Sequence, residues 1–299
     1  VHKKNFIVIF LAATLALACA KTQQETRQAQ QANAAEKVKA REARKTLVIT
    51  AIPDENPDEL QRKNRLLADY LEKEMGVKIT FRPVTNYGAA VRALAAGQVD
   101  FAWLGGYTFV QAKLQANAIP VVMRQSDLAF QSVFIAHKDS GITTMADLKG
   151  KTFAFGSKSS TSGRLMPQHF MAQNFQLDPA NDLNGLPIYS GAHDATIKIV
   201  NSGKVQAGAL NFKTWETNKG SAPNTIEVWR TPGYVDYCWA ASPGVSSALR
   251  QKFADAFIAL NETKHADLLS LQKAQKYVPA KVEMWDTIQQ VATEAGLIQ

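Results

Sequence analysis

Two similar α/β lobes flanking a cleft are the architecture to which this 299-residue sequence points. One reason is an internal echo at a constant offset of 106 residues. Lys45-Thr46-Leu47-Val48-Ile49-Thr50 recurs as Lys151-Thr152-Phe153-Ala154-Phe155-Gly156. Tyr87-Gly88-Ala89, Leu94, Gly97 and Val99-Asp100 recur as His193-Asp194-Ala195, Val200, Gly203 and Val205-Gln206. Each copy reads as an apolar strand, a loop, and a helix that stops at a glycine before another apolar run. A second reason is the alternation of strand and helix patterns along the body, the mark of parallel α/β sheets. The third is size. A chain of this length, 46% hydrophobic and 20% charged, can bury one large core or two medium ones and has the composition of a globular protein.

The elements follow in order. Leu47–Thr50 is an apolar strand, and a loop with Pro53 and Pro57 leads to a helix over about Asp58–Glu74, with Leu60, Leu66, Leu67, Tyr70 and Leu71 on one face. Val77–Arg82 alternates as a strand, Ala89–Ala96 is a helix closed by Gly97, and Val99–Leu104 is a buried strand. Phe109–Gln115 is a short helix, and Ile119–Met123 and Phe130–Ala136 are strands. The second copy restarts after Asp147-Leu148-Lys149-Gly150 with the strand Thr152–Phe155. It continues with a helix near Leu165–Phe175, a strand at Leu186–Tyr189, a helix at Ala195–Asn201 and a strand at Val205–Leu210. Ile226–Thr231 and Tyr237–Ala241 are strands, and the remainder is largely helical. Chain crossings near 127–134 and 232–240 give a discontinuous first lobe, 45–130 plus 238–299, and a continuous second lobe, 131–237.

The formal charge of +8 belongs to one end of the chain. Nine of the 34 Lys and Arg, but three of the 26 Asp and Glu, fall in residues 1–45, leaving 25 against 23 for the body. No basic stripe interleaved with aromatics marks a nucleic-acid partner. Lys3-Lys4 followed by the apolar run Phe6–Ala18 is too short for a membrane span and reads as a signal peptide over residues 1–19. Its end, Leu15-Ala16-Leu17-Ala18-Cys19, resembles a bacterial lipobox, in which Cys19 carries the lipid. Ala16 stands where the usual pattern has Leu, and ordinary cleavage after Ala18 or Ala20 is the alternative. Residues 20–44 read as a polar tether. Cys19 and Cys238 are the two cysteines, and Cys238, in an apolar run, reads as a core thiol.

The chemistry concentrates past strand ends, where open α/β sheets bind ligands. The loop Gly156-Ser157-Lys158-Ser159-Ser160-Thr161-Ser162-Gly163 sets a run of hydroxyls at a helix start, where unpaired N–H groups and the helix dipole favour an anion. An N-cap alone needs one hydroxyl. The matched first-lobe loop, Ala51-Ile52-Pro53-Asp54, could add backbone donors. Tyr87 and His193 hold matched helix starts, and Tyr107 follows Gly105-Gly106. There is no Gly-x-Ser-x-Gly elbow, His-Glu-x-x-His, cysteine cluster or dinucleotide fingerprint, so neither an enzyme nor a cofactor is expected.

Tyr87, Ala93-Leu94, Gly97, Val99-Asp100, Ala102-Trp103-Leu104-Gly105, Asp147–Lys151, Ser160–Gly163 and Ser190-Gly191-x-His193-Asp194-Ala195 together resemble the phosphate/phosphite/phosphonate-type solute-binding proteins of ABC importers. The similarity runs over about residues 46–260. Ala51–Pro57 and Gly203–Asn211 look closest to a selenate-binding subgroup. The resemblance implies a two-lobed periplasmic binding protein fold of type II, with two parallel-rich sheets and a hinge of two crossing strands. It also implies that Ser160, Thr161, Ser162, Tyr87, Tyr107 and His193 hold a tetrahedral oxyanion, with Asp236-Tyr237 on the second crossing strand. Where aminoalkylphosphonate binders carry an acid, this chain reads Asn211-Phe212-Lys213, which disfavours an amine-bearing ligand.

A carboxylate at 236 tolerates an oxyanion only with a proton between them, so protonated phosphorus oxyanions rank above selenate. The resulting expectation is a monomeric periplasmic binding protein, free or lipid-anchored on the outer face of the cytoplasmic membrane. Its partners would be a small oxyanion and an ABC permease. An enzyme or a ligand sensor on the same scaffold are the rivals.

Overall fold

The computed structural model describes residues 46–298 together with residues 23, 24, 26–28 and 32, which are helical. The expected leader, Cys19 and most of the expected tether lie outside the described residues.

The body opens with β1 (Thr46–Ala51) and α1 (Pro57–Met75). Asn56 caps this helix by accepting from the Asp58 and Glu59 N–H groups, and Pro57 sits in its first turn, where no N–H is needed. Gly76 ends it in the left-handed region at φ 66°, which a glycine adopts without steric cost. Leu60, Leu67, Leu71 and Met75 form its buried face. Then come β2 (Lys78–Phe81), α2 (Tyr87–Ala95), β3 (Phe101–Leu104), α3 (Gly106–Ala116) and β4 (Ile119–Arg124). The chain crosses to a second sheet with β5 (Ser132–His137), β6 (Phe153–Phe155), α4 (Met166–Phe175), β7 (Ile188–Tyr189), α5 (His193–Asn201), β8 (Ala207–Asn211), α6 (Phe212–Asn218) and β9 (Thr225–Arg230). It returns through β10 (Cys238–Ala241), α7 (Ser247–Ile258), α8 (Glu262–Leu271), β11 (Tyr277–Pro279) and α9 (Asp286–Glu294).

The first sheet has the order β11-β4-β10-β3-β1-β2 and the second β7-β6-β8-β5-β9. Both are mixed rather than parallel-rich. Parallel pairing is confined to β1 with β2 and β3, and to β6 with β7 and β8. β10 and β5 pair antiparallel with their neighbours. The reason is topological: each enters its sheet from the other one, so it starts at the cleft and runs away from it. The crossings themselves are short connectors rather than continuous strands. They are stitched by an isolated bridge, with Phe130 N–H donating to the Tyr234 carbonyl at 2.7 Å and Tyr234 N–H to the Phe130 carbonyl at 2.9 Å. Asp236 N–H donates to the Asp127 carbonyl at 3.0 Å, extending the stitch.

The echo in the sequence is an echo in the fold. α2 and α5 start and stop at matched positions, Gly97 and Gly203 follow them at φ 67° and 69°, and β3 and β8 begin at matched residues. Asp100 Oδ2 accepts the Val48 N–H at 2.8 Å, and Gln206 Oε1 does the same for Thr152 at 3.0 Å. Both matched side chains thus brace the first strand of their copy, but Gln206 does so two residues earlier, at Thr152 rather than Ala154.

Three elements differ from the sequence expectation. β7 is two residues long, and Leu186 before it is exposed. α6 went unanticipated because it is too short to show a period. β11 lies in a stretch with no alternation, and it forms by pairing with β4 at the sheet edge.

Gly208 in β8 sits where α5 and β6 meet. A Cβ there would lie 2.8 Å from Thr196 Cγ2 and 2.9 Å from the Ala154 carbonyl oxygen. Gly208→Ala is therefore expected to destabilise the fold by about 1–3 kcal/mol, read as a lower midpoint in thermal unfolding. An unchanged midpoint would show that this packing is looser than described.

Candidate anion site between the two sheets

The loop after β6 turns tightly into a π-turn, Thr161–Leu165, continuous with α4. Ser160 Oγ accepts the Gly163 N–H at 2.9 Å, and Gly163 in turn accepts the Gly156 N–H at 2.8 Å. Gly163 has no room for a side chain: a Cβ would fall 2.9 Å from Ser160 Oγ, 3.0 Å from His193 Cε1 and 3.2 Å from Gly156 Cα. The loop and the start of α5 are thus locked together, and Ser160, Thr161, Ser162 and His193 are all buried.

Across the cleft stand Tyr87 at the start of α2, the Gly105-Gly106 turn before α3, and Asp236-Tyr237 at the end of the second crossing. Asp236 is fully buried, and its Oδ1 accepts the Gly106 N–H at 2.8 Å. Burial, with a smaller push from the Asp127 carboxylate, raises its carboxyl to about 7 against the lowering influence of the Gly106 N–H and the Thr161 and Ser162 hydroxyls. Trp285 steadies this segment by donating its indole N–H to the Asp236 carbonyl oxygen at 2.6 Å. Thr161 Oγ1 accepts the Tyr107 N–H at 2.9 Å, a bond that spans the cleft.

His193 is neutral, since burial pulls its imidazole down to about 3. Its Nδ1 accepts the Asn211 N–H at 3.3 Å, so the proton is assigned to Nε2, which lies 3.3 Å from the Tyr237 hydroxyl. Asn211 donates to the same hydroxyl at 3.3 Å, with its amide orientation fixed because Oδ1 takes the Thr214 N–H at 2.6 Å. The Tyr237 hydroxyl also reaches Asp54, whose carboxyl burial raises, assisted by neighbouring Glu55. The His193 N–H donates to the Asp54 carbonyl at 3.0 Å, a second bond across the cleft.

Three buried side-chain atoms in this region make no hydrogen bond of good geometry, Tyr87 Oη, Ser162 Oγ and Asp236 Oδ2, although Tyr87 lies beside the Ser160 hydroxyl and Ser162 beside Asp236 and Tyr234. Leaving such atoms unmatched costs roughly 1–3 kcal/mol each. Two can donate from neutral hydroxyls. The third is a carboxyl oxygen that holds a proton below about pH 7. Together they suit an acceptor-rich guest that brings or shares one proton.

The sequence-nominated residues fall into three groups. Ser160, Thr161, Ser162, Tyr87, His193, Asp236 and Tyr237 come together in the cleft, and Ala51 closes β1 at its edge. Tyr107 is placed differently: its hydroxyl donates to the Leu297 carbonyl at 3.3 Å, while its backbone N–H donates to Thr161 Oγ1. Trp285 packs on the site with no signal in sequence, and Asn211 was marked there only as standing where related binders carry an acid. Asn211 is legible afterwards as an N-cap before α6, accepting from Thr214. Among the described residues no group of three or more His, Cys, Asp or Glu is placed to hold a metal ion.

The sequence profile of the family described as "ABC transporter, phosphonate, periplasmic substrate-binding protein" matches residues 49–285. The chain is 34% identical over 278 residues to the probable ABC transporter phosphite binding protein PhnD1 of Prochlorococcus marinus (strain MIT 9301), covering 85% of this chain and 91% of that protein. The solved structure of PhnD1 in complex with methylphosphonate superimposes with a TM-score of 0.80 over 85% of this chain and 99% of that one. The phosphate-import protein PhnD of Mycolicibacterium smegmatis is 28% identical over 228 residues, 70% of this chain and 71% of the relative. Sequence and fold agree, and the chain belongs to the phosphonate-type periplasmic substrate-binding proteins of ABC transporters.

Proposed function

We propose that the cleft captures a small tetrahedral phosphorus oxyanion, namely phosphite, a small phosphonate or phosphate, and presents it to an ABC permease. The observation that carries this reading is the set of buried, unmatched polar atoms Tyr87 Oη, Ser162 Oγ and Asp236 Oδ2 around a rigid hydroxyl loop. In this reading Ser160, Thr161, Ser162, Tyr87, His193, Asp236 and Tyr237 form the cradle, with Ala51 at its edge. His193 contributes a neutral Nε2–H donor. Residues 45–130 with 238–299 and residues 131–237 act as two bodies, and the paired connectors at 125–131 and 231–237 let them close on the ligand. Contacts from both bodies favour the closed state, which is the signal for transport. The N-terminal 19 residues direct export, Cys19 anchors the mature protein by a lipid, and residues 20–44 tether a monomeric body on the outer face of the cytoplasmic membrane.

The relatives, a phosphite-binding protein with a methylphosphonate-bound structure and a phosphate-import protein, support phosphite, phosphonate or phosphate as the ligand class. Selenate remains the second reading because a carboxyl at about 7 can itself supply the shared proton to a fully ionised anion. The discrimination drawn from sequence therefore becomes dependent on pH. Catalysis is disfavoured, since a histidine held at about 3 makes a poor general base near neutral pH.

Titration calorimetry with phosphite, methylphosphonate, phosphate, sulfate and selenate at about pH 8 tests the reading. Phosphorus oxyanions are expected to bind with sulfate and selenate at least roughly tenfold weaker, and tight selenate binding without phosphite binding would sink it. Ser162→Ala is expected to weaken the best ligand by about tenfold or more, the worth of one hydrogen bond to a charged group.

A further inference from the structure

A small cavity of about 30 Å³ lies behind Tyr237, away from the hydroxyl loop. That is room for about two water molecules or one compact ionic group. Both sides of the cleft build it: the loop after β1 and the end of α8 on one side, and the start of α6 on the other.

Its walls carry an excess of positive charge. Lys63 and Lys273 both reach Glu55, at 3.3 and 2.8 Å, so two cations share one carboxylate. Arg124 is spent on Asp127, which it grips with two bonds of 2.7 Å. Lys213 donates to the carbonyl oxygen of Lys273 at 2.8 Å. The remaining acid, Asp54, is raised to about 6 by burial and by neighbouring Glu55. Four basic side chains thus face three carboxyls, with burial lowering Lys213 to about 8, lowering Lys273 as well, and raising Asp54. Two polar atoms on the wall are also unmatched. Thr214 Oγ1, on a residue only 1% exposed, and Gln272 Nε2 are both buried without a hydrogen-bond partner. Water would satisfy those two atoms and leave the charge excess. A compact anionic group would accept from both and offset the charge as well.

We propose that this cavity is a second anion subsite for one monovalent group of carboxylate or halide size. The group comes either from a free inorganic anion or from an acidic substituent on the phosphorus of the captured ligand. The second source rests on the proposed oxyanion cradle beside it, while the first does not. The cationic wall further implies that a ligand with an ammonium substituent is rejected.

Calorimetry with methylphosphonate, phosphonoacetate and 2-aminoethylphosphonate separates the sources, run in sodium gluconate and sodium chloride at equal ionic strength. If the substituent fills the cavity, phosphonoacetate binds about tenfold or more tighter than methylphosphonate in gluconate. Lys213→Met and Thr214→Val then each reduce that preference. The ratio of two ligands on one variant cancels the loss of the Lys213 bond to Lys273. If a free ion fills it, chloride tightens methylphosphonate binding and Lys213→Met removes the gain. A bromide-soaked crystal then shows an anomalous peak within hydrogen-bond reach of Thr214 Oγ1. No phosphonoacetate preference, no chloride response and no bromide peak together overturn the proposal, as does preferential binding of 2-aminoethylphosphonate. Should methylphosphonate, phosphite and phosphate all fail to bind, the proposed function falls. The bromide crystal and the chloride dependence of thermal unfolding would still decide the cavity.

Discussion

Asp236→Asn is expected to flatten the pH dependence of oxyanion binding and to bring sulfate and selenate into range. In the native protein Asp236 Oδ1 is occupied by the Gly106 N–H, so any contact with a guest falls to Oδ2. With the carboxyl raised to about 7 by burial, Oδ2 holds a proton below that pH and offers a donor. Above it the site presents a buried carboxylate, tolerable only if the guest brings the proton. Asparagine keeps the acceptor for Gly106 and gives Nδ2 as a donor at every pH. The expected consequence is a gain of roughly 100-fold in sulfate affinity at about pH 8.5, reflecting several kcal/mol of carboxylate–dianion conflict removed. Phosphite, which loses a charge-assisted partner, is expected to weaken by about tenfold. Calorimetry across about pH 6 to 8.5 reads both changes, and a variant that still rejects sulfate would place Asp236 outside the contact shell.

The same group predicts a stability trend. Its carboxyl rises on folding from the ordinary 3.8 to about 7, so the native state holds the extra proton between those values. Native stability therefore falls as pH rises through that window, and the contribution from this group is absent in Asp236→Asn. Urea unfolding of both proteins at about pH 5 and about pH 7.5 should show a shallower decline in the variant.

Gly163→Ala is the second large effect. The added methyl meets Ser160 Oγ, His193 Cε1 and Gly156 Cα at 2.9, 3.0 and 3.2 Å. The first two belong to the proposed cradle and the third is backbone, so relief requires moving either the imidazole or the loop. Overpacking of this kind costs about 1–3 kcal/mol of stability. Misplacing His193 and Ser160 together is expected to lower methylphosphonate affinity by roughly 100-fold or more. Circular dichroism and thermal unfolding would verify that the variant still folds, and wild-type affinity in a folded variant would contradict the geometry.

How far the chain could be read in advance follows from the range of each interaction. The matched helices at Tyr87 and His193 were legible because each is specified locally, by an apolar face and a terminal glycine. The hydroxyl loop was legible from its run of hydroxyls at a helix start, Asp236-Tyr237 was marked by family resemblance, and their closeness to Tyr87 is a product of the crossings. The antiparallel course of β5 and β10 was not legible, since strand direction depends on which sheet the chain has just left. The course of the Tyr107 ring was hidden for a related reason. Its position past β3 was right, but the direction of its ring is set by Leu297, 190 residues away in sequence. The cationic cavity was hidden because Lys63, Lys213 and Lys273 converge only in three dimensions. Sequence reasoning noticed Lys213 only as a missing acid.

The central claim is that Tyr87, Ser162 and Asp236 turn their unmatched atoms onto one oxyanion. A crystal structure of the protein with methylphosphonate tests it most directly. The predicted result is phosphonate oxygens within hydrogen-bond distance of Tyr87 Oη, Ser162 Oγ, Asp236 Oδ2 and His193 Nε2, at the Ser160–Gly163 loop. A bound methylphosphonate that leaves those atoms uncontacted, or that sits outside the cleft, would contradict it.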